Sequence, residues 1–183
     1  MVTGMVSGVL AAAVLATGGA GVAGGAPGGG GSDAYWLRVE GRFAPPTAFV
    51  PSAAVTYDDR LVPPGASIEV EQEGGRGDMT VRLAVEGLEP GHDYGAHVHR
   101  EPCGADPEAA GGHYRHEEDP GRADAANEVW LDFTTDRAGD GRAVVHKAWG
   151  LRRGEAESVV LHDAPGGAGH RVACFTVPFA SLG

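Results

Sequence analysis

The sequence predicts an all-β domain, a sandwich or flattened barrel of about eight antiparallel strands with little helix. Three observations carry this. Several short stretches alternate apolar and polar residues with period two, turn-forming residues separate them at regular intervals, and no long stretch keeps the helical period. The chain has 183 residues and is 42% apolar. That suffices for one domain with a real core and falls short of two.

The elements follow in order. Residues 35–43 form the first strand candidate, followed by a loop with Pro45, Pro46 and Pro51 and a short strand at 54–57. Pro63-Pro64-Gly65 is a turn signal. In 67–73, Ile68 and Val70 alternate with Glu69 and Glu71; in 79–86, Met79, Val81, Leu83 and Val85 alternate with Thr80, Arg82 and Glu86. Such patterns mark half-buried strands, because successive side chains point to opposite faces. Further strands are expected at 94–99, 129–134, 142–148, 158–162 and 172–177, with Gly139-Asp140-Gly141 as a hairpin turn between two of them and a short helix at 107–110.

The first thirty-two residues read differently from the rest. Residues 5–16, MVSGVLAAAVLA, have the size and texture of a signal-peptide core, and a Gly-rich linker follows from Ala26 to Ser32. No Lys or Arg precedes the apolar run. The expected division is a signal peptide with linker over 1–32 and one β-domain over 33–183, exported to the cell envelope or secreted. No other segment has the length and apolarity of a membrane span. The net charge of −11 argues against nucleic acid and anionic membranes as partners. The two cysteines, Cys103 and Cys174, would be free thiols or metal ligands in a reducing compartment and a pair in an exported protein.

Chemistry concentrates in the histidines. His97 and His99 stand two apart on a predicted strand and share a face. His113 follows Gly111-Gly112, where the backbone can turn sharply, and His162 ends the apolar run Val159-Val160-Leu161. Four imidazoles from separate segments suit copper, zinc, iron or nickel.

The stretch from Gly87 to His99, GLEPGHDYGAHVH, resembles the segment of Cu,Zn superoxide dismutases that delivers two copper ligands. Cys103, Gly111-Gly112-His113, Ser158-Val159-Val160-Leu161-His162 and the run from Gly167 to Cys174, GAGHRVAC, are similar to further motifs of that family, in family order, between about Ile68 and Val177. The resemblance implies a Greek-key, immunoglobulin-like sandwich. It implies copper held by His97, His99, His113 and His162, a disulfide between Cys103 and Cys174, and Arg171 guiding the anionic substrate. It implies conversion of superoxide to dioxygen and hydrogen peroxide by Cu(II)/Cu(I) cycling, with His113 carrying a proton. It fixes no oligomeric state, since the family contains monomers and dimers.

Two departures from the family pattern stand out. The loop from His113 to Asn127 is short and carries one further histidine, His116, and Asn127-Glu128-Val129-Trp130-Leu131-Asp132 replaces the usual loop ending. His116 with Glu117, Asp119 or Asp124 is a candidate zinc site; a solvated loop is the preferred reading. Between His162 and Arg171 stand only eight residues, where zinc-containing members carry a long charged loop. Both departures point to the copper-only branch of the family. The competing functional reading is a noncatalytic copper-binding or structural module on the same fold. His92 is expected in an exposed turn, His146 on an outer strand face, and His170 pointing away from Arg171. Trp36, Trp130 and Trp149 are expected in core or interface positions.

Overall fold

Nine strands run through the described residues in chain order: β1 (Tyr35–Arg42), β2 (Ala54–Thr56), β3 (Ser67–Gly74), β4 (Met79–Glu86), β5 (Asp93–His99), β6 (Phe133–Thr134), β7 (Gly141–Lys147), β8 (Ser158–His162) and β9 (Arg171–Thr176). These come from a computed structural model that describes residues 34–119 and 121–181. The expected signal peptide and linker over 1–32 lie outside the described residues. One 3-10 turn, Pro107–Ala110, occupies the position of the expected short helix; the Asp106 side chain accepts from the Glu108 amide and starts it.

The strands form two antiparallel sheets, one ordered β1-β3-β4-β7 and one ordered β2-β9-β8-β5-β6. After β4 the chain crosses to the second sheet, and β7 returns beside β4 while β8 returns beside β5. This is Greek-key connectivity, which lets alternating strands close one core between two sheets. Ile68, Val70, Val81, Leu83 and Val85 from the first sheet face Tyr94, Ala96, Val98, Val159, Leu161 and Phe175 from the second, all buried. Burying each such side chain stabilises the fold by about 1.5–3 kcal/mol.

The glutamates of β3 turn outward, where Arg38 reaches Glu40 at 2.9 Å, Glu69 at 2.7 Å and Glu71 at 3.5 Å. Exposed pairs of this kind keep the face soluble and add little stability. Among the described residues no helix is long and apolar enough to cross a membrane.

One expectation needs correction. Gly139 does lie in a tight turn, but β6 and β7 belong to different sheets, so the turn crosses the sandwich and closes no hairpin. Trp36 is 65% exposed on the edge strand β1, outside the core, which leaves the interface half of its expectation open.

Candidate metal centre

On β5, Tyr94, Ala96 and Val98 point into the sandwich, so the period of two sends Gly95, His97 and His99 to the opposite face of the sheet. On β8, Val159 and Leu161 point inward, and Val160 and His162 share the face of His97 and His99. A bulge between Leu161 and His162 shifts the β8–β9 register so that Arg171 stands opposite His162. One displaced residue thus aims the guanidinium at the histidine face. Loop segments cover this outer face.

The edge of β5 beyond its short pairing with β6 organises the covering loops. Leu131 N–H donates to Ala96 O at 2.7 Å, and Val98 N–H donates to Val129 O at 3.2 Å. Further along, Tyr114 N–H donates to Val98 O at 2.8 Å, and His99 and His113 form an antiparallel bridge. Gly111, at φ +67°, makes the turn that returns the chain to this edge. Gly95 serves close approach: a Cβ there would stand 2.5 Å from Ala164 O, so its absence lets the 163–170 loop lie on β5. The Cys103–Cys174 disulfide ties the loop after β5 to β9.

These elements bring four rings together. Centroid separations are 4.5 Å for His97–His113, 4.8 Å for His97–His162, 4.6 Å for His99–His113 and 5.6 Å for His99–His162. One nitrogen each of His97, His113 and His162 lies within 4.8 Å of the others; among the described residues this is the only such group of potential ligands. His99 joins it through His162, with the two Nε2 atoms 3.4 Å apart.

Each ring has one nitrogen engaged by an acceptor. His97 Nε2–H donates to Asp132 Oδ1 at 3.0 Å, and His99 Nδ1–H to Gly111 O at 3.0 Å. His113 Nδ1–H donates to Glu128 Oε2 at 2.6 Å, and His162 Nδ1–H to Gly169 O at 2.9 Å. Carbonyls and carboxylates only accept, so each engaged nitrogen carries a proton, and in a neutral ring its partner carries a lone pair. The free atom is Nδ1 in His97 and Nε2 in the other three. His97 Nδ1 is buried with no hydrogen-bond partner, and the Nε2 lone pairs of His99 and His162 face one another. A cation at the centre would satisfy both defects, since an orienting acceptor behind each imidazole is the arrangement a metal ligand needs.

Burial favours the neutral form of three of the rings. Burial pushes His97 down to about 4, helped by repulsion from His113 and His162. Burial lowers His99 to about 2, with His113 and Arg171 adding to it, and lowers His162 also. Neutral imidazole is the metal-binding form. Burial raises the Glu128 carboxyl, but hydrogen bonds from Trp130, His113 and Arg115 more than offset it and hold it below its ordinary value.

Arg171 is fixed beside the pocket. Its guanidinium donates to Pro107 O at 2.8 Å and to Gly111 O at 2.7 Å, the carbonyl that also receives His99. Its side chain is 16% exposed and has exposed Glu108 at 3.4 Å. Of the four rings, His113 is the one that reaches solvent appreciably, at 15%.

His116 stands apart from this group. Its ring stacks on Trp149 at 4.5 Å with planes 6° apart. Glu117 pairs with Arg122, while Asp119 and Asp124 accept amides of their own loop. These side chains assemble no ligand group with His116. His92 is half-buried, bonded to Asp163 O at 3.1 Å and packed edge-on against Tyr94, where an exposed turn was expected. His146 lies on the outer face against Thr80, as expected.

Sequence reasoning missed Glu128 and Asp132 as supports. Their signal was the alternation Glu128-Val129-Trp130-Leu131-Asp132: Val129 and Leu131 enter the core, so the other three share the histidine side.

Fold and side chains define a β-sandwich protein with a buried cluster of imidazoles suited to a transition-metal ion. Among solved structures, the chain is similar to a Cu/Zn superoxide dismutase from Brucella abortus, with 20% identity and a TM-score of 0.49 over 78% of this chain and 99% of that one. No protein-family model and no curated protein matches the chain.

Proposed function

We propose that this protein is an exported copper-dependent superoxide dismutase, with copper held by His97, His99, His113 and His162 and with no resident zinc. One observation carries the reading: His97, His113 and His162 each bring one nitrogen within 4.8 Å of the others, His99 Nε2 lies 3.4 Å from His162 Nε2, and an acceptor behind each ring fixes it. Imidazole nitrogens suit copper, and the motifs around them resemble one family of copper enzymes throughout.

Copper, when bound, supplies one-electron chemistry, accepting an electron from one superoxide and returning it to a second. The chain's own groups do the rest. Arg171, locked by two carbonyls, offers its remaining N–H donors to a small anion at the pocket mouth. Its charge counts for more because the protein as a whole, at −11, repels anions. His113, the most exposed of the four rings, is the candidate for holding and releasing a proton; Glu128 keeps its other nitrogen protonated and its plane fixed. Glu128 also occupies the side of His113 where a second metal would need a lone pair, which supports a copper-only centre. The disulfide and the apolar leader sequence support export.

The test is a dismutase assay on copper-loaded protein beside His113→Ala and Arg171→Ala. The reading predicts activity that requires copper and falls in both variants. Tight copper binding without activity would instead favour the noncatalytic copper module. Metal analysis decides the zinc question: a zinc-to-copper ratio near one would overturn the copper-only assignment.

A further inference from the structure

Between two of the supports identified above lies a side chain that the family motifs do not assign. Trp130 is bridged in antiparallel register to His97, and its ring centroid lies 5.2 Å from the His97 ring. Its indole Nε1–H donates to Glu128 Oε2 at 2.8 Å, the same oxygen that accepts from His113 at 2.6 Å. A Cβ placed on Gly167, in the loop over the pocket, would sit 3.8 Å from Trp130 and 3.9 Å from His113. One indole therefore touches the first histidine and the support of the third, with the covering loop close by.

Glu128 is 1% exposed, and its other oxygen is taken by Arg115 Nε–H at 2.9 Å. With Arg115 alone, the carboxylate could pivot about that bond. A second donor from a different direction fixes its plane, and with it the orientation of His113, which has no other hydrogen-bond support at Nδ1. Tryptophan suits this role because it donates one hydrogen bond and accepts none, so it cannot draw the His113 N–H away from the carboxylate. Its ring also packs against the His97 ring, 5.2 Å between centroids.

We propose that Trp130 is a positioning residue of the metal site, acting through Glu128 on His113 and by ring packing on His97. This rests on the reading of the four histidines as a copper site. Trp130→Phe retains a ring and removes the donor; benzothienylalanine at 130 retains the two-ring shape and replaces only the N–H by sulfur.

Three measurements on the full chain test it: copper affinity by chelator competition, the electron paramagnetic resonance spectrum of the Cu(II)-loaded protein, and the histidine ring nitrogen resonances of the metal-free protein. Copper affinity should fall about 10-fold in Trp130→Phe, within the range typical for residues behind metal ligands. The Cu(II) spectrum should shift in the direction that Glu128→Gln produces. The double variant should lose less affinity than the sum of the two single losses, because both substitutions act on one carboxylate. In metal-free Trp130→Phe, the His113 ring signals should move from the single Nδ1–H form toward a mixture. Wild-type affinity and spectrum in Trp130→Phe, or strictly additive losses, would overturn the proposal. If Trp130→Phe fails to fold, the sulfur analogue decides by the same criteria. If the unaltered protein takes up no copper, the copper reading fails by itself, and the His113 resonances still decide the positioning role: unchanged signals in the variant refute it.

Discussion

Acidification should unfold the metal-free protein earlier than its carboxylates alone would allow. His97 is held at about 4 and His99 at about 2 in the folded state, chiefly by burial. Both lie near 6.5 when the chain is unfolded. As pH falls below 6.5 the unfolded chain therefore takes up protons that the folded one refuses. The contribution is fully present above that value and is lost as pH drops toward the folded values. Each histidine removes about 1.4 kcal/mol per pH unit inside the window, so the pair should cost roughly 4 kcal/mol between about pH 7.5 and about pH 5. His162 acts in the same direction. A typical domain holds about 5–15 kcal/mol, so the loss is a large share of it. Carboxylates titrate mainly below this interval and do not imitate the effect. Urea denaturation of metal-free, disulfide-intact protein at a series of pH values measures it directly. A stability constant to within about 1 kcal/mol across the interval would mean that the rings are not buried and neutral, and the pocket geometry would be wrong.

Other perturbations probe separate parts of the account. Cys103→Ala with Cys174→Ala opens a loop closed across a separation of 71 residues; denaturation should show a loss of about 4 kcal/mol, and less than 1 would refute the loop-closure estimate. On the proposed reading, in which the guanidinium meets the substrate and not the metal, Arg171→Ala should lower dismutase activity on the order of 10- to 100-fold while chelator competition finds copper retained. Gly95→Ala would force a Cβ against Ala164 O, so thermal unfolding should report a loss of about 1–3 kcal/mol, and an unchanged midpoint would mean the loop does not lie on β5.

The strands were legible because burial on one face writes a period of two, and β4 and β8 coincide with the expected 79–86 and 158–162. The segment 129–134 was legible as extended chain, but only Phe133–Thr134 forms a named strand, since the rest meets β5 through single bonds that leave no stronger pattern. The pairing of β7 with β4 was not legible. A turn such as Gly139-Asp140-Gly141 reports local backbone direction and says nothing of which sheet receives the next strand. In the centre, the histidines announced themselves as residue types, whereas Glu128 and Asp132 read as ordinary acids until the strand face was considered. The role of Gly111 O, shared by His99 and Arg171, is a backbone contact that no side-chain pattern encodes. His116 was a reasonable ligand type in an acidic loop; its ring lies flat on Trp149, apart from the histidine group.

The most direct measurement is copper titration followed by electron spin-echo spectroscopy of the Cu(II)-loaded chain, with each of His97, His99, His113 and His162 replaced by alanine in turn. The account predicts one copper per chain, coupling to imidazole nitrogens, and a weakened or altered centre in all four variants. Copper that binds equally well after any two of these replacements, or that gives no imidazole signal, would contradict it.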